Sequence, residues 1–197
     1  NPEYIDAPML SNHDQDRIIG LLNGRHDYMK VAAGIYLTLE GIPFIYYGEE
    51  VGMFGSKPDE DIRLPFPWGE GDRFQTTWRE SRFEKVTVTA ARQQDDPESL
   101  LNHYKRLIRA RNKNEALYAG RFRALVSDNE HIVAYAMESD SQSAVILHNL
   151  SEEWQDITID LAGYTLEFCQ EKNGLKKSEG MLEISPLSTV IFIKQRE

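Results

Sequence analysis

The chain has 197 residues, 41% of them hydrophobic and 27% charged, which supports a packed core and suits one large domain or two small ones. A net charge of −10 disfavours nucleic acid and anionic membrane surfaces as partners, and the longest apolar stretches fall short of the roughly 20 residues a membrane-spanning helix needs. The single Cys169 excludes an internal disulfide and reads as a small buried hydrophobe.

Residues 5–11 read as a short strand, residues 12–17 as a polar loop and residues 18–22 as a helical turn. Over residues 28–40 the apolar positions Met29, Ala32, Ala33, Tyr36 and Leu37 recur at helical spacing, and Gly41 is a good stop. Residues 43–47, Pro-Phe-Ile-Tyr-Tyr, form a compact apolar run expected as a strand buried on both faces. Residues 48–94 follow as a long polar stretch with prolines, glycines and aromatics, and loops of that length inside a compact domain are often functional. The next helix is expected to start with Asp96 as its cap, Pro97 in its first position and Glu98 near its positive end. Leu100, Leu101, Tyr104, Leu107 and Ile108 form its apolar face, and His103 falls on the face expected in solvent. Strand, helix, strand, loop, helix is the order of a parallel α/β architecture.

Beyond Leu117 the texture changes. Residues 121–127, 131–138, 143–150, 155–160, 165–170, 181–184 and 189–194 are short β-type runs, divided by turn residues such as Asp128-Asn129 and Asn173-Gly174. Regular spacing of this kind predicts an antiparallel sandwich. The expected domains are residues 1–117 and 118–197.

Chemistry concentrates in Ser11-Asn12-His13-Asp14-Gln15-Asp16-Arg17, just past the end of the first expected strand. In α/β barrels, polar groups at that place face the active site. An Asp beside a His offers complementary acceptors and donors for neighbouring sugar hydroxyls, and a carboxylate stabilises positive charge developing on a sugar ring. Spacing alone leaves open, and favours, a plain polar loop in which Asp14 or Asp16 caps the next helix.

Residues 9–15 (MLSNHDQ) resemble the fourth sequence region of the α-amylase family, whose core is Asn-His-Asp after the seventh barrel strand. Residues 41–53 (GIPFIYYGEEVGM) resemble the family's eighth strand and following loop, and residues 62–68 (IRLPFPW) its Arg-x-Pro-x-x-Trp element. Residues 96–104 (DPESLLNHY) are similar to the opening of the eighth barrel helix. The four matches stand in family order. The resemblance implies α/β plus all-β architecture: a partial (β/α)8 barrel, strands 7 and 8 with their helices, followed by an antiparallel β-sandwich corresponding to domain C by position and texture.

The resemblance further implies the C-terminal part of a retaining enzyme acting on α-glucosidic bonds. Asp14 would be the transition-state stabiliser, and His13 would bind sugar hydroxyls. Arg17 and Arg63 would line the site or be plain exposed or salt-bridged residues. Trp68 and Trp78 would stack on sugars or serve local packing, with Trp68 the better placed. Glu49 and Glu50 would be structural. The family's nucleophile and proton-donor regions are not found in these residues, and a retaining glycosidase needs that pair roughly 5 Å apart. The piece is therefore expected to be inactive by itself. The implied partner is an α-glucan or malto-oligosaccharide, with no cofactor, no metal, no nucleic acid and no membrane; the compartment, bacterial cytoplasm or outside the cell, stays open. A sucrose isomerase or trehalose synthase of the same family is one alternative, and a non-catalytic glucan-binding or packing sandwich is another. Two barrel strands taken alone expose unpaired edges. The isolated chain is thus expected to rely mainly on its sandwich or to pair with a second copy. Hydrogen exchange measures this: a monodisperse monomer with slow exchange throughout residues 5–47 would contradict it.

Overall fold

The computed structural model describes residues 5–69, 71–76, 78–83, 85–178 and 180–196. Its helices are α1 (Ile18–Leu21), α2 (His26–Thr38), α3 (Asp59–Ile62), α4 (Ala90–Gln94), α5 (Leu100–Lys113) and α6 (Glu115–Ala119), with a 3-10 turn at Glu49–Val51. Its strands are β1 (Arg121–Ala124), β2 (Ile132–Glu138), β3 (Gln142–Asn149), β4 (Gln155–Thr158), β5 (Thr165–Cys169), β6 (Leu175–Ser178), β7 (Met181–Ile184) and β8 (Ser188–Gln195). The described residues form two compact units, one within the spans Asn1–Pro8, Lys30–Pro43 and Arg106–Glu197, the other within Met9–Met29 and Phe44–Lys105.

The first unit is built on an antiparallel sandwich. One sheet has the order β1-β2-β3-β8-β5 and the other β4-β7-β6. Alternation sorts the side chains: Ile132, Ala134, Val145, Leu147, Val190 and Phe192 face Ile157, Leu182 and Ile184 of the smaller sheet and make the core between them. The opposite face of β3 is also buried, so every residue of that strand is withdrawn from water. Helical segments occupy this face. Thr38 Oγ1 of α2 meets Tyr135 Oη of β2 at 2.6 Å, and the N–H of Ala116 in α6 donates to Gln142 Oε1 of β3 at 3.2 Å.

Those contacts include a buried chain of hydrogen bonds whose direction follows from counting protons. Thr38 Oγ1 donates to Gly34 O at 2.6 Å, so it must accept from the Tyr135 hydroxyl. The Tyr135 oxygen then accepts from His148 Nε2 at 2.9 Å. The bare His148 Nδ1 in turn accepts from the Thr189 hydroxyl at 2.9 Å. All four side chains are almost completely buried, and His148 and Thr189 are directly opposed across β3 and β8. Gly34 is required here, because a Cβ on it would lie 2.1 Å from Thr189 Oγ1. At the C-terminal end of α2, Arg111 donates to the carbonyl of Leu37, left without an intrahelical partner by helix termination, and to those of Leu39 and Gly41 just beyond the helix.

Four outcomes differ from the sequence reading. Residues 5–11 and 43–47 are not paired strands; Ile42 N–H donates to Asp6 O at 2.9 Å, and no regular ladder joins them. A barrel strand draws hydrogen bonds from a neighbour on each side, and no described strand flanks these segments. An additional strand, β6, pairs with β7. Helix α5 starts at Leu100: Ser99 Oγ accepts the Asn102 N–H as the cap, while Asp96 Oδ1 accepts the Glu98 N–H in the turn before it. His103 is fully buried rather than solvated. Cys169 is partly buried, and its thiol donates to Glu171 O at 3.1 Å.

Burial alone lowers the His148 pKa from 6.5 to about 3. The unfolded chain takes up this proton as pH falls through about 6.5 while the folded chain does not, so the histidine withdraws stability progressively between pH 6.5 and 3. A His148→Gln variant lacks this titration. The stability gap between wild type and variant, from urea unfolding, is therefore expected to narrow by on the order of 1 kcal/mol per pH unit between pH 6 and 4. A constant gap contradicts the assignment.

Candidate active site

In the second unit, residues 12–17 lie against residues 55–63, and two arginines hold them there. Arg17 is only 2% exposed. Its Nε donates to Ile62 O at 2.9 Å and its Nη1 to Tyr47 O at 2.6 Å. Its guanidinium carbon lies 4.3 Å from the ring centre of Tyr46 and 4.7 Å from that of Tyr47. Burial draws the Arg17 pKa down and pushes the Tyr46 hydroxyl up to about 12, without removing the charge on Arg17 at neutral pH. The main chain joins in: Arg17 N–H donates to Gly55 O at 2.8 Å, and Asp16 Oδ1 accepts the Lys57 N–H at 2.8 Å. Gly55 admits no side chain, since a Cβ would meet Asp61 O at 2.5 Å.

Arg63 performs the same joining at the surface. Its Nε donates to His13 O at 3.0 Å, and its Nη2 donates to Asp14 Oδ1 at 3.1 Å and to Asp59 Oδ2 at 2.9 Å. Asn12 Oδ1 accepts the Asp14 N–H at 2.9 Å, closing a local turn. His13 Nε2 lies 3.3 Å from Asp14 Oδ2, and the two side chains remain 65% and 64% exposed. The outcome is an ordered, solvent-facing imidazole–carboxylate pair on a backbone fixed from beneath. Such a pair can accept and donate hydrogen bonds to vicinal hydroxyls and place negative charge against an electron-poor ring.

The residues singled out from sequence thus separate. His13, Asp14 and Arg63 come together at the surface. Arg17, expected to line the site or lie exposed, is a buried strut whose guanidinium meets the carbonyls of Ile62, which the Tyr46 hydroxyl also reaches at 3.4 Å, and Tyr47. Trp68 is half-exposed and packs on Phe66, with ring centres 4.5 Å apart, while Trp78 is more exposed. Glu49 is buried and accepts the Tyr104 hydroxyl at 2.8 Å. Burial pushes the Glu50 carboxyl above the usual carboxylate range. Asp59 was missed from sequence; its spacing four residues before Arg63, one helical turn, was the available signal.

Residues 48–94 are not an unstructured loop. Val51, Met53, Leu64 and Ala90 form a small core with Phe66, Phe83 and Leu101. Asp61, 9% exposed at its side chain, pairs with Arg79 at 2.7 Å and Arg82 at 3.0 Å. Elsewhere, in the first unit, an open groove of about 260 Å³ is lined by Arg106, Arg109, Lys113, Glu167, Phe168 and Cys169. The Lys113–Glu167 pair lies within that lining, and none of the residues singled out for chemistry does.

Residues 1–120 match the family model described as the α-amylase catalytic domain, and residues 132–191 match that of the α-amylase SusG C-terminal domain. Alpha-amylase 3 of Dictyoglomus thermophilum is 36% identical over 195 residues, covering 97% of this chain and 39% of that protein. Alpha-amylase SusG of Bacteroides thetaiotaomicron is 38% identical over 159 residues, covering 75% of this chain and 23% of that protein. The crystal structure of an α-amylase from H. orenii superposes with a TM-score of 0.88 at 36% identity, covering 98% of this chain and 40% of that one. The chain therefore spans well under half the length of the curated relatives it matches.

Replacing Arg17 by Met takes a charged donor from two carbonyls and removes the cation that lies against two rings. The second unit is expected to lose about 2–4 kcal/mol of stability. Urea unfolding followed by tryptophan fluorescence in a Trp154→Phe background reads this unit through Trp68 and Trp78. An unchanged midpoint contradicts the strut role.

Proposed function

Because this chain belongs to the α-amylase family, we propose that it works as the C-terminal part of a retaining glycoside hydrolase that cleaves α-glucosidic bonds in glucans or malto-oligosaccharides. Its fold is a portion of the α-amylase catalytic barrel followed by a β-sandwich. The observation that carries the functional reading is the exposed His13–Asp14 pair at 3.3 Å, seated on a backbone stitched to residues 55–63.

In this reading His13 and Asp14 grip neighbouring hydroxyls of the sugar at the cleaved bond. The ionised Asp14 stabilises the oxocarbenium-like transition state, in which positive charge spreads over the ring. Neither residue is the nucleophile or the proton donor; both of those come from polypeptide beyond these residues. Arg63 anchors the main chain at His13 through its Nε, and Trp68 stacks on a neighbouring sugar. Arg17 acts beneath the site as a positioning residue and touches no substrate. In this reading residues 1–117 are the barrel portion and residues 118–197 the sandwich domain.

The test uses the enzyme that carries this chain, assayed on maltotriose and maltoheptaose. Asp14→Asn is expected to lower kcat/KM by about a hundredfold or more. The 197-residue chain alone is expected to release no glucose from either substrate. Full activity in the Asp14→Asn enzyme, or hydrolysis by the chain alone, contradicts the reading.

A further inference from the structure

Both oxygens of the Asp14 carboxylate are engaged. Oδ1 takes Arg63 Nη2 at 3.1 Å and Oδ2 faces His13 Nε2 at 3.3 Å. Sugar hydroxyls can bind Asp14 only by sharing or displacing those partners. Arg63 Nη2 has a second seat ready: Asp59 Oδ2, one helical turn earlier, at 2.9 Å. Asp59 is itself held by Lys57, and this pairing, aided by Arg63 and His13, keeps its carboxyl below the usual carboxylate range and therefore ionised at neutral pH. Lys57, Asp59, Arg63 and Asp14 thus form a chain of alternating charge. The Nε of Arg63 stays on His13 O at 3.0 Å, so the guanidinium can lean between the two carboxylates while remaining anchored to the main chain.

We propose that Asp59 is a positioning residue that draws Arg63 off Asp14 when a sugar binds, keeping Asp14 available to hydroxyls of an α-glucan. The proposal rests on the role given to Asp14 above and adds a residue to it. Without Asp59, Arg63 has Asp14 as its one carboxylate partner in this cluster. The sugar must then compete with a tighter ion pair. Competition of this kind weakens binding and leaves the bound complex unchanged, so it acts on KM and not on kcat. Because the competing contact is an exposed ion pair, salt relieves it.

Steady-state kinetics of the enzyme carrying this chain, on maltoheptaose at low and high sodium chloride, tests this. Asp59→Asn is expected to raise KM about threefold to fivefold at low salt, a size suited to an exposed ion pair, with kcat unchanged. The increase is expected to shrink toward onefold at about 1 M salt, where screening length is a few ångströms. Asp59→Glu is expected to restore KM, and in an Arg63→Gln background Asp59→Asn is expected to add nothing. An equal change at both salt concentrations, a loss confined to kcat, or a KM increase that persists without Arg63 overturns the proposal. Asp14→Asn run in parallel separates the two levels: if it is inactive and Asp59→Asn behaves as wild type, only the Asp59 role fails, whereas an active Asp14→Asn enzyme removes the reading on which it rests.

Discussion

A guanidinium withdrawn from water is stable only where acceptors surround it, and Arg17 finds them in two stretches of chain at once. Ile62 O comes from the turn that ends α3, and Tyr47 O comes from the apolar run before the 3-10 turn. The rings of Tyr46 and Tyr47 supply two electron-rich faces. Pairing Nε and Nη1 of this one side chain therefore sets where residues 12–17 lie against residues 44–63, while its Nη2 is buried with no hydrogen-bond partner among the described residues. Gly55 lets the two backbones approach closely enough for the Arg17 N–H to reach its carbonyl. His13 and Asp14 stand on this base, and that is why side chains so open to solvent are nevertheless placed. Exposure leaves the carboxylate accessible to a ligand, and the buried strut lowers the entropy cost of arranging it at the moment of binding.

The first unit solves a similar problem with neutral groups. Strand β3 is buried on both faces, and β2 and β8 over most of their length, so polar side chains pointing toward the helical segments must be paired completely. The line from Thr189 through His148 and Tyr135 to Thr38 does this with one proton per bond and one tautomer of the histidine. Every donor in it is used. The arrangement specifies how α2 seats on the sheet more sharply than apolar contact could, and its cost is sensitivity to acid.

The sandwich was largely legible, because turn residues punctuate β-branched and aromatic runs at short intervals, and seven of the observed strands overlap runs read from sequence. Strand β6 was hidden because Leu175-Lys176-Lys177-Ser178 is an exposed edge strand, whose polar side chains carry no alternation to detect. The runs at residues 5–11 and 43–47 look like buried strands because they are apolar; pairing partners, not composition, decide whether such a segment becomes a ladder. Of the site, His13, Asp14 and Arg63 stood out through their motifs. The burial of Arg17 did not, since a long charged side chain reads as surface until its acceptors are located in three dimensions. The order within residues 48–94 was equally invisible: Asp61 organises it by pairing with Arg79 and Arg82, and no periodicity announces such a link.

In the proposed function the sugar sits at Asp14 and His13, on a main chain fixed from below by Arg17 and from the side by Arg63. A crystal structure of the enzyme carrying this chain with an uncleaved malto-oligosaccharide bound tests it directly. Two vicinal sugar hydroxyls are expected within about 3 Å of Asp14 Oδ1 or Oδ2 and His13 Nε2, with Arg17 unmoved. A sugar ring bound in the barrel with Asp14 still closed on Arg63 and His13, and no hydroxyl in reach of either residue, would contradict it.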